Sequence, residues 1–103
     1  MHRIKVIDPG YSYLVQDFAS GEYHQEIKFV KSELKDGAYI VSEDRVTNEA
    51  VIKVVLDRLK TLNEKLPSRE TSIAITKVEE ALLWLEKRTF DRSERGVLGT
   101  NNK

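Results

Sequence analysis

The stretch from Ser68 to Gly96 constrains the fold most, because it reads as one uninterrupted helical pattern. Its interior contains neither Gly nor Pro and is rich in Ala, Leu, Glu, Lys and Arg, which favour helices. Ser68 follows Pro67 and is a suitable N-cap, and Gly96 is a suitable stop. At about 1.5 Å per residue the helix is roughly 40 Å long, against a radius of gyration of about 13 Å for a domain of this size. Such a helix must project from the domain or find a partner.

The helix carries two apolar faces if each residue turns the chain by about 100°. The first is the expected core-facing stripe and consists of Thr71, Ile75, Val78, Leu82, Leu85 and Thr89. The second lies outside that stripe and contains Ile73, Leu83, Trp84 and Phe90. If another part of the protein packs on the first face alone, these large side chains remain in water. We therefore expect a further part of the chain or of a partner to pack on the second face. Either the N-terminal half of the chain or a second protomer can supply this part.

A third stripe of the same helix is basic. It consists of Lys77, Ala81, Trp84, Arg88, Arg92 and Arg95. Arginines at these spacings can grip one anionic group, and the guanidinium fork suits phosphate oxygens. The competing interpretation is a solvated face, because basic residues favour the last turns of a helix and Glu86, Asp91 and Glu94 are close enough to pair with them. Spacing alone favours the solvated face.

The rest of the chain predicts an α+β fold. Strands are expected over residues 2–7, 11–16, 23–31 and 38–42, with turns at Asp8-Pro9-Gly10 and Lys35-Asp36-Gly37. A first helix begins after the N-cap Thr47 or Asn48 and ends near Lys65, with an apolar stripe of Val51, Val55, Leu59, Leu62 and Leu66 widened by Ile52 and Leu56. The short connection to Ser68 makes an antiparallel helix pair. We therefore expect an N-terminal antiparallel β-meander followed by a C-terminal antiparallel two-helix hairpin with a long last helix.

Length and composition indicate a single domain over residues 1–103, with a β-rich part at 1–44, the hairpin at 47–96 and a tail at 97–103. The 17 basic residues balance 17 acidic ones, which argues against a protein that coats DNA or an anionic membrane. The absence of Cys and of a signal-peptide pattern fits the cytosol.

Known catalytic motifs are absent from the sequence. It contains no Gly-rich phosphate loop, HExxH motif or nucleophile elbow, and the adjacent Glu79 and Glu80 point about 100° apart on a helix. His2 and His24 lack a second ligand at metal-binding spacing and are interpreted as solvent-facing. No catalytic residue, metal site or cofactor is predicted, and a binding protein is favoured over an enzyme.

The long helix resembles a known family. The run SRETSIAITKVEEALLWLEKRTFDRSERGVLGT is similar to the C-terminal helix of the phage anti-Thoeris sponge proteins, the first family of that kind described, which share a helical hairpin with a phage anti-CBASS sponge. The resemblance covers Thr47 to Thr100. Its most specific part is the ordered tail motif Trp84-Leu85, Glu86-Lys87-Arg88-Thr89, Asp91-Arg92, Arg95-Gly96 and Gly99-Thr100.

The resemblance implies a viral immune-evasion protein that acts in the cytoplasm of the infected bacterial host. Such proteins bind, without cleaving, the cyclised ADP-ribose signals (glycocyclic ADP-ribose) of a TIR-domain immune enzyme, and some members also bind cyclic di- or trinucleotides. The arginines that hold the ligand in the family fall on Arg88 and Arg92. A pocket Asn falls on Thr71, whose hydroxyl can donate and accept but is shorter than an amide.

The helix geometry adds a condition. Thr71 and Arg88 are 17 residues apart, which is roughly 25 Å along a continuous helix and farther than one cyclised dinucleotide reaches. If both act on one ligand, the long helices of two protomers must run antiparallel, so a homodimer or higher homo-oligomer with its pockets between protomers is expected. Which aromatic ring stacks on the base is left open, because a helical Trp such as Trp84 is typically a core residue.

Three functions are therefore carried forward. The leading one is a sponge for a signalling nucleotide, with Arg88 and Arg92 on the diphosphate. The second is a non-catalytic oligomeric adaptor that docks another protein on the second apolar face. The third is an enzyme that hydrolyses the signal.

Overall fold

The structure is a computed structural model that describes the backbone of residues 3–94 and the side chains of residues 3–91. The chain divides into two compact units, Met1–Thr47 and Asn48–Lys103, which are described separately below. The single-domain organisation expected from the length stays a prediction. His2, Arg95, the stop expected at Gly96 and the tail at 97–103 lie outside the described residues.

The first unit begins with a three-stranded antiparallel sheet in the order β1-β2-β3. The strands are β1 (Ile4–Asp8), β2 (Ser12–Val15) and β3 (Gln25–Lys28). The turn predicted after β1 is confirmed: Tyr11 N donates to Asp8 O at 2.8 Å, and Gly10 takes a φ of 86°, a conformation that glycine adopts without steric cost. The cross-strand register places Val6, Tyr13 and Ile27 side by side on one face.

A separate two-stranded hairpin follows, formed by β4 (Lys31–Lys35) and β5 (Ala38–Glu43). Asp36 and Gly37 form its two-residue turn with φ values of 53° and 82°. Positive φ at both central positions is the signature of the turn that matches the twist of a hairpin, and Asp-Gly is a preferred sequence for it. The turn predicted at Lys35-Asp36-Gly37 is confirmed.

The prediction of one strand over residues 23–31 is wrong. The chain leaves the first sheet after Lys28 and enters the hairpin at Lys31. Between them, Phe29 N donates to Tyr11 O at 2.7 Å and Val30 N donates to Val46 O at 2.9 Å. These hydrogen bonds to distant parts of the unit divide a continuous β-pattern between two sheets, and alternation along the sequence cannot reveal them.

Basic side chains of this unit lie over aromatic rings. The distances from cation to ring centre are 5.5 Å for Arg3 and Phe18, 4.4 Å for Lys5 and Tyr23, and 4.9 Å for Lys31 and Tyr11. The Lys31 ammonium also donates to the Asp8 carboxylate at 2.6 Å, and this bond raises the pKa of Lys31 above its ordinary 10.5. The charges of these strands are thus largely satisfied by their neighbours.

The His24 ring, although exposed, also contacts carboxylates. One ring nitrogen pairs with Asp17 and the other lies 3.1 Å from Glu22 Oε2. Within residues 3–91 no group of three or more His, Cys, Asp or Glu side chains is arranged to hold a metal ion.

The second unit is a pair of helices, α1 (Asn48–Lys65) and α2 (Arg69–Glu94). Four contacts show that they run antiparallel, because the α2 partner moves back along the chain as the α1 residue moves forward. The contacts join Glu49 to Thr89, Lys53 to Glu86, Lys60 to Glu79 and Asn63 to Ser72. The predicted α+β fold with a long last helix is confirmed.

The first apolar face of α2 is buried or half-buried as predicted, except at Thr89, which is exposed. Leu82 is the buried hydrophobic residue of the described chain, at 8% exposure, and Thr71, Ile75, Val78 and Leu85 are half-buried. The stripe predicted on α1 is partly wrong. Val51, Ile52, Leu56 and Leu59 are half-buried, whereas Val55, Leu62 and Leu66 are exposed. The α1 surface that meets α2 is therefore rotated toward Ile52 and Leu56.

Candidate functional site

The start of α2 is held by hydrogen bonds within the chain. The predicted N-cap is confirmed: Ser68 Oγ accepts from Thr71 N at 3.0 Å and donates to Thr71 Oγ1 at 2.8 Å. Asn63 closes the turn from α1, because its Oδ1 accepts from Ser68 N at 3.1 Å and its Nδ2 donates to Ser72 Oγ at 3.2 Å. Thr71 is thereby fixed and half-buried, and its hydroxyl hydrogen remains available to a further acceptor.

The other end of α2 carries an open depression of about 180 Å³, lined by Trp84, Lys87, Arg88 and Asp91. These residues share one side of the helix because they are three or four positions apart. Ligand pockets usually measure about 300 to 1,000 Å³. The depression on this one helix is smaller than that range.

The ion pairs around Arg88 bear on the two interpretations of the basic stripe. The competing one pairs the arginines with Glu86, Asp91 and Glu94. In the structure Glu86 pairs with Lys53 at 3.3 Å, and Asp91 pairs with Lys87 at 2.8 Å. Among the side chains that the structure describes, Arg88 has no ion-pair partner. Of the three carboxylates named for this stripe, Asp91 is the one at pairing distance along the helix from Arg88, and it pairs with Lys87; the side chain of Glu94 lies outside the described ones.

The predicted site residues are not all together in one chain. Arg88 and Arg92 are one turn apart on α2, although the side chain of Arg92 lies outside the described ones. Thr71 belongs to the opposite end of the helix. Because α2 is continuous from Arg69 to Glu94, the separation of Thr71 from Arg88 stays at roughly 25 Å. A single chain does not bring both to one ligand.

The structure also shows a larger depression that the sequence did not predict. It has a volume of about 390 Å³ and is lined by Leu56, Glu79, Leu82, Leu83 and Glu86. Two carboxylates stand beside an otherwise apolar surface, and they disfavour a phosphate-bearing ligand even though lysines pair with them. The smaller depression beside Arg88 is therefore the better candidate for a nucleotide.

The second apolar face of α2 is exposed in the chain. Leu83 and Trp84 are each 67% exposed, and Phe90 and Ile73 are also open to solvent. This is the exposure predicted from the sequence for a helix whose first face alone is covered. The helix α1 covers the side of α2 that carries Leu82 and leaves this one open.

The fold and the site define a class of protein. The Acb2/Tad1 hairpin domain matches residues 22–90, which is more than half of the chain, and the chain belongs to this family. The matched range includes Thr71 and Arg88 and ends two residues before Arg92. The family that the resemblance of the last helix indicated is confirmed.

One relative is a curated phage protein. The chain is 51% identical over 59 residues to Thoeris anti-defense 1 of Bacillus phage SBSphiJ7. The matched stretch is 56% of this chain and 42% of the relative, so the chain spans less than half the length of the curated relative it matches. Neither α1 nor α2, the helices of the described residues, combines the length and the apolar character that crossing a bilayer requires.

Proposed function

We propose that this chain is a viral immune-evasion protein that sequesters cyclised ADP-ribose signals such as glycocyclic ADP-ribose. It would block Thoeris defence in the cytoplasm of the infected bacterial host and release the signal unchanged. Membership of the Acb2/Tad1 hairpin family and the similarity to a protein named for Thoeris anti-defence support this proposal.

The observation that carries the proposal is the guanidinium of Arg88, which has no ion-pair partner among the described side chains and lies at the edge of an open depression. A cyclised ADP-ribose presents a diphosphate, whose oxygens match the donors of an arginine fork. Each charge-assisted hydrogen bond of this kind contributes about 1.5 to 3 kcal/mol. Arg92, one turn further along α2, would supply the second guanidinium.

A second copy would complete the site. Two α2 helices that run antiparallel about a twofold axis bring the Thr71 end of one chain to the Arg88 end of the other and create two equivalent pockets. The exposed face of Leu83 and Trp84 supplies apolar surface for this contact. The same arginines suit the phosphodiesters of cyclic di- and trinucleotides, which we include as further ligands of the homodimer or a higher homo-oligomer.

Calorimetric titration with cyclised ADP-ribose isomers tests the proposal. We expect the wild-type chain to bind at least one isomer, and Arg88→Ala or Arg92→Ala to weaken binding about 10- to 150-fold through the lost charge-assisted bonds. Arg58→Ala is the matched control, because Arg58 is an exposed arginine on α1 and should leave affinity within about twofold. Unchanged affinity in both site variants would refute the site.

Two other functions have their own outcomes in the same experiment. The exposed Leu83, Trp84 and Phe90 favour, as a second candidate, an oligomeric adaptor that docks another protein. The absence of heat with every isomer would leave that adaptor. Chromatography of the ligand after long incubation tests for hydrolysis: we expect intact recovery, and a cleaved product would mean an enzyme.

A further inference from the structure

Trp84 is the single tryptophan of the chain and lies on α2 one turn before Arg88. Its side chain is two-thirds exposed, although burying an indole is strongly favourable. A ring of this size that the fold leaves in water is available to another molecule.

Trp84 lines two depressions that differ in chemistry. The first is the one of about 180 Å³ that it shares with Lys87, Arg88 and Asp91. The second measures about 270 Å³ and is lined by Glu80, Leu83, Trp84 and Lys87. The indole therefore borders both depressions, with Arg88 beside the first and Leu83 beside the second.

The contacts of the indole with cations differ from those of the tyrosines in the first unit. In the first unit, Lys5 and Lys31 lie within 5 Å of the ring centres of Tyr23 and Tyr11. Among the described side chains, none makes such a contact with Trp84, and the nearby Arg88 does not stack on it. With respect to the described side chains, the guanidinium has no ion-pair partner and the indole no cation over its ring, and both lie at the same end of α2.

We propose that Trp84 is the residue that stacks on the adenine of the ligand whose diphosphate Arg88 holds. This inference rests on the proposed function. One helical turn separates the two residues by about 6 Å along the axis, comparable to the span of the ribose between a base and its phosphate. A base that enters the first depression can lie against the indole while its phosphates reach Arg88. The second depression, beside Leu83, remains for the α2 helix of the second copy.

Tryptophan emission reports stacking directly, because Trp84 is the single fluorophore of its type. We expect cyclised ADP-ribose to quench the emission of the wild-type chain in proportion to calorimetric binding. Inorganic pyrophosphate, which carries the charges without a base, should leave the emission unchanged. The titration is made at a concentration where sedimentation already shows the dimer, so that assembly does not change the signal.

Substitutions separate stacking from packing. Alanine substitution of a base-stacking aromatic weakens binding about 5- to 150-fold. We expect a loss in that range for Trp84→Leu, which keeps an apolar side chain for the dimer, and a loss under about fivefold for Trp84→Phe, which keeps an aromatic face. Phe90→Leu is the matched control, since Phe90 is similarly exposed on α2 but does not line either depression; its affinity should change less than twofold.

The outcomes distinguish this inference from the proposed function. Wild-type binding with unchanged emission, together with normal affinity in Trp84→Leu, would overturn stacking and leave the sponge intact. No binding of any isomer by the wild-type chain would overturn both. If Trp84→Leu no longer dimerises, stacking is tested by the emission of the wild-type chain and by the affinity of Trp84→Phe.

Discussion

Side chains of the same kinds differ in burial and in ion pairing between the two sides of α2. On the side that meets α1, Leu82 is buried, and Glu79 and Glu86 pair with lysines of α1 at 3.1 and 3.3 Å. On the side away from α1, Trp84 is 67% exposed, and Arg88, one turn further along, has no ion-pair partner among the described side chains. The apolar and charged groups of the first side have partners within one chain. On the second side an apolar ring is exposed to solvent and a guanidinium has no carboxylate partner among the described side chains.

Leu82 and Leu83 make the contrast plain, because they are adjacent and identical in chemistry. A helix turns about 100° between neighbours, so Leu82 points into the α1 contact and Leu83 lies at its edge, in the depression that both leucines share with Leu56. Exposure falls from 67% at Leu83 to 8% at Leu82. We infer that the first side stabilises the hairpin and that the second is available for binding.

The largest expected effect is on stability, at Leu82. Leu82→Ala should lower the free energy of unfolding by about 2 to 4 kcal/mol, because it removes buried apolar contacts and leaves a cavity. Leu83→Ala should cost under about 0.5 kcal/mol in the isolated chain, since its side chain is mostly in water. Urea unfolding at low protein concentration measures both.

Concentration supplies the control for this pair. If Leu83 belongs to a contact between copies, the loss of unfolding free energy caused by Leu83→Ala should increase with protein concentration. The loss caused by Leu82→Ala should not. Equal costs for the two variants at every concentration would remove the distinction between the two sides.

A smaller effect is expected at the start of α2, where hydrogen bonds are also closed within the chain. Ser68→Ala removes the acceptor of Thr71 N and should lower the free energy of unfolding by about 1 kcal/mol. The control is Ser42→Ala in β5, an exposed serine, which should change stability by less than about 0.5 kcal/mol. Thermal unfolding followed by circular dichroism at 222 nm measures helix loss directly. If Ser68→Ala lowers the free energy of unfolding no more than Ser42→Ala does, the hydrogen bonds at this turn do not stabilise the helix as expected.

The helices were predictable from local signals. Ser68 after Pro67 marks the start of α2, and the polar cap near Asn48 marks the start of α1. The apolar period of α2 also predicted which side meets α1. The corresponding side of α1 was harder to predict, because Val55 and Leu62 extend its apolar surface beyond what a single partner helix covers.

The strands were predictable in their turns but not in their sheets. Gly10 and Gly37 have the positive φ that their turn sequences predict. The break at Phe29 depends on hydrogen bonds to Tyr11 and, through Val30, to Val46. Such bonds join distant parts of the chain, so a pattern of alternating residues shows strand content without showing which strands pair.

The residues of the candidate site could be named from the sequence, but the contacts and the exposure of their side chains could not. The spacing places Arg88 and Arg92 on one side of α2, and the role that the resemblance implies for that side stays a prediction. The carboxylate at pairing spacing from Arg88 is Asp91, and the sequence does not show that Asp91 pairs with Lys87 instead. The exposure of Trp84 depends on how α1 packs, which the period of α2 alone does not determine.

Restoring a pocket by mixing two defective chains tests the central claim most directly. Arg88→Ala disables the end of α2, and Thr71→Glu places a negative charge at its start while completing a capping box with Ser68. Each variant alone should bind cyclised ADP-ribose at least about 10-fold more weakly than the wild-type chain. If the start of one chain meets the end of another, heterodimers from an unfolded and refolded equal mixture have one intact pocket each, which gives about one site per four chains at near wild-type affinity. If the mixture binds no better than either variant, the site is not shared between two copies.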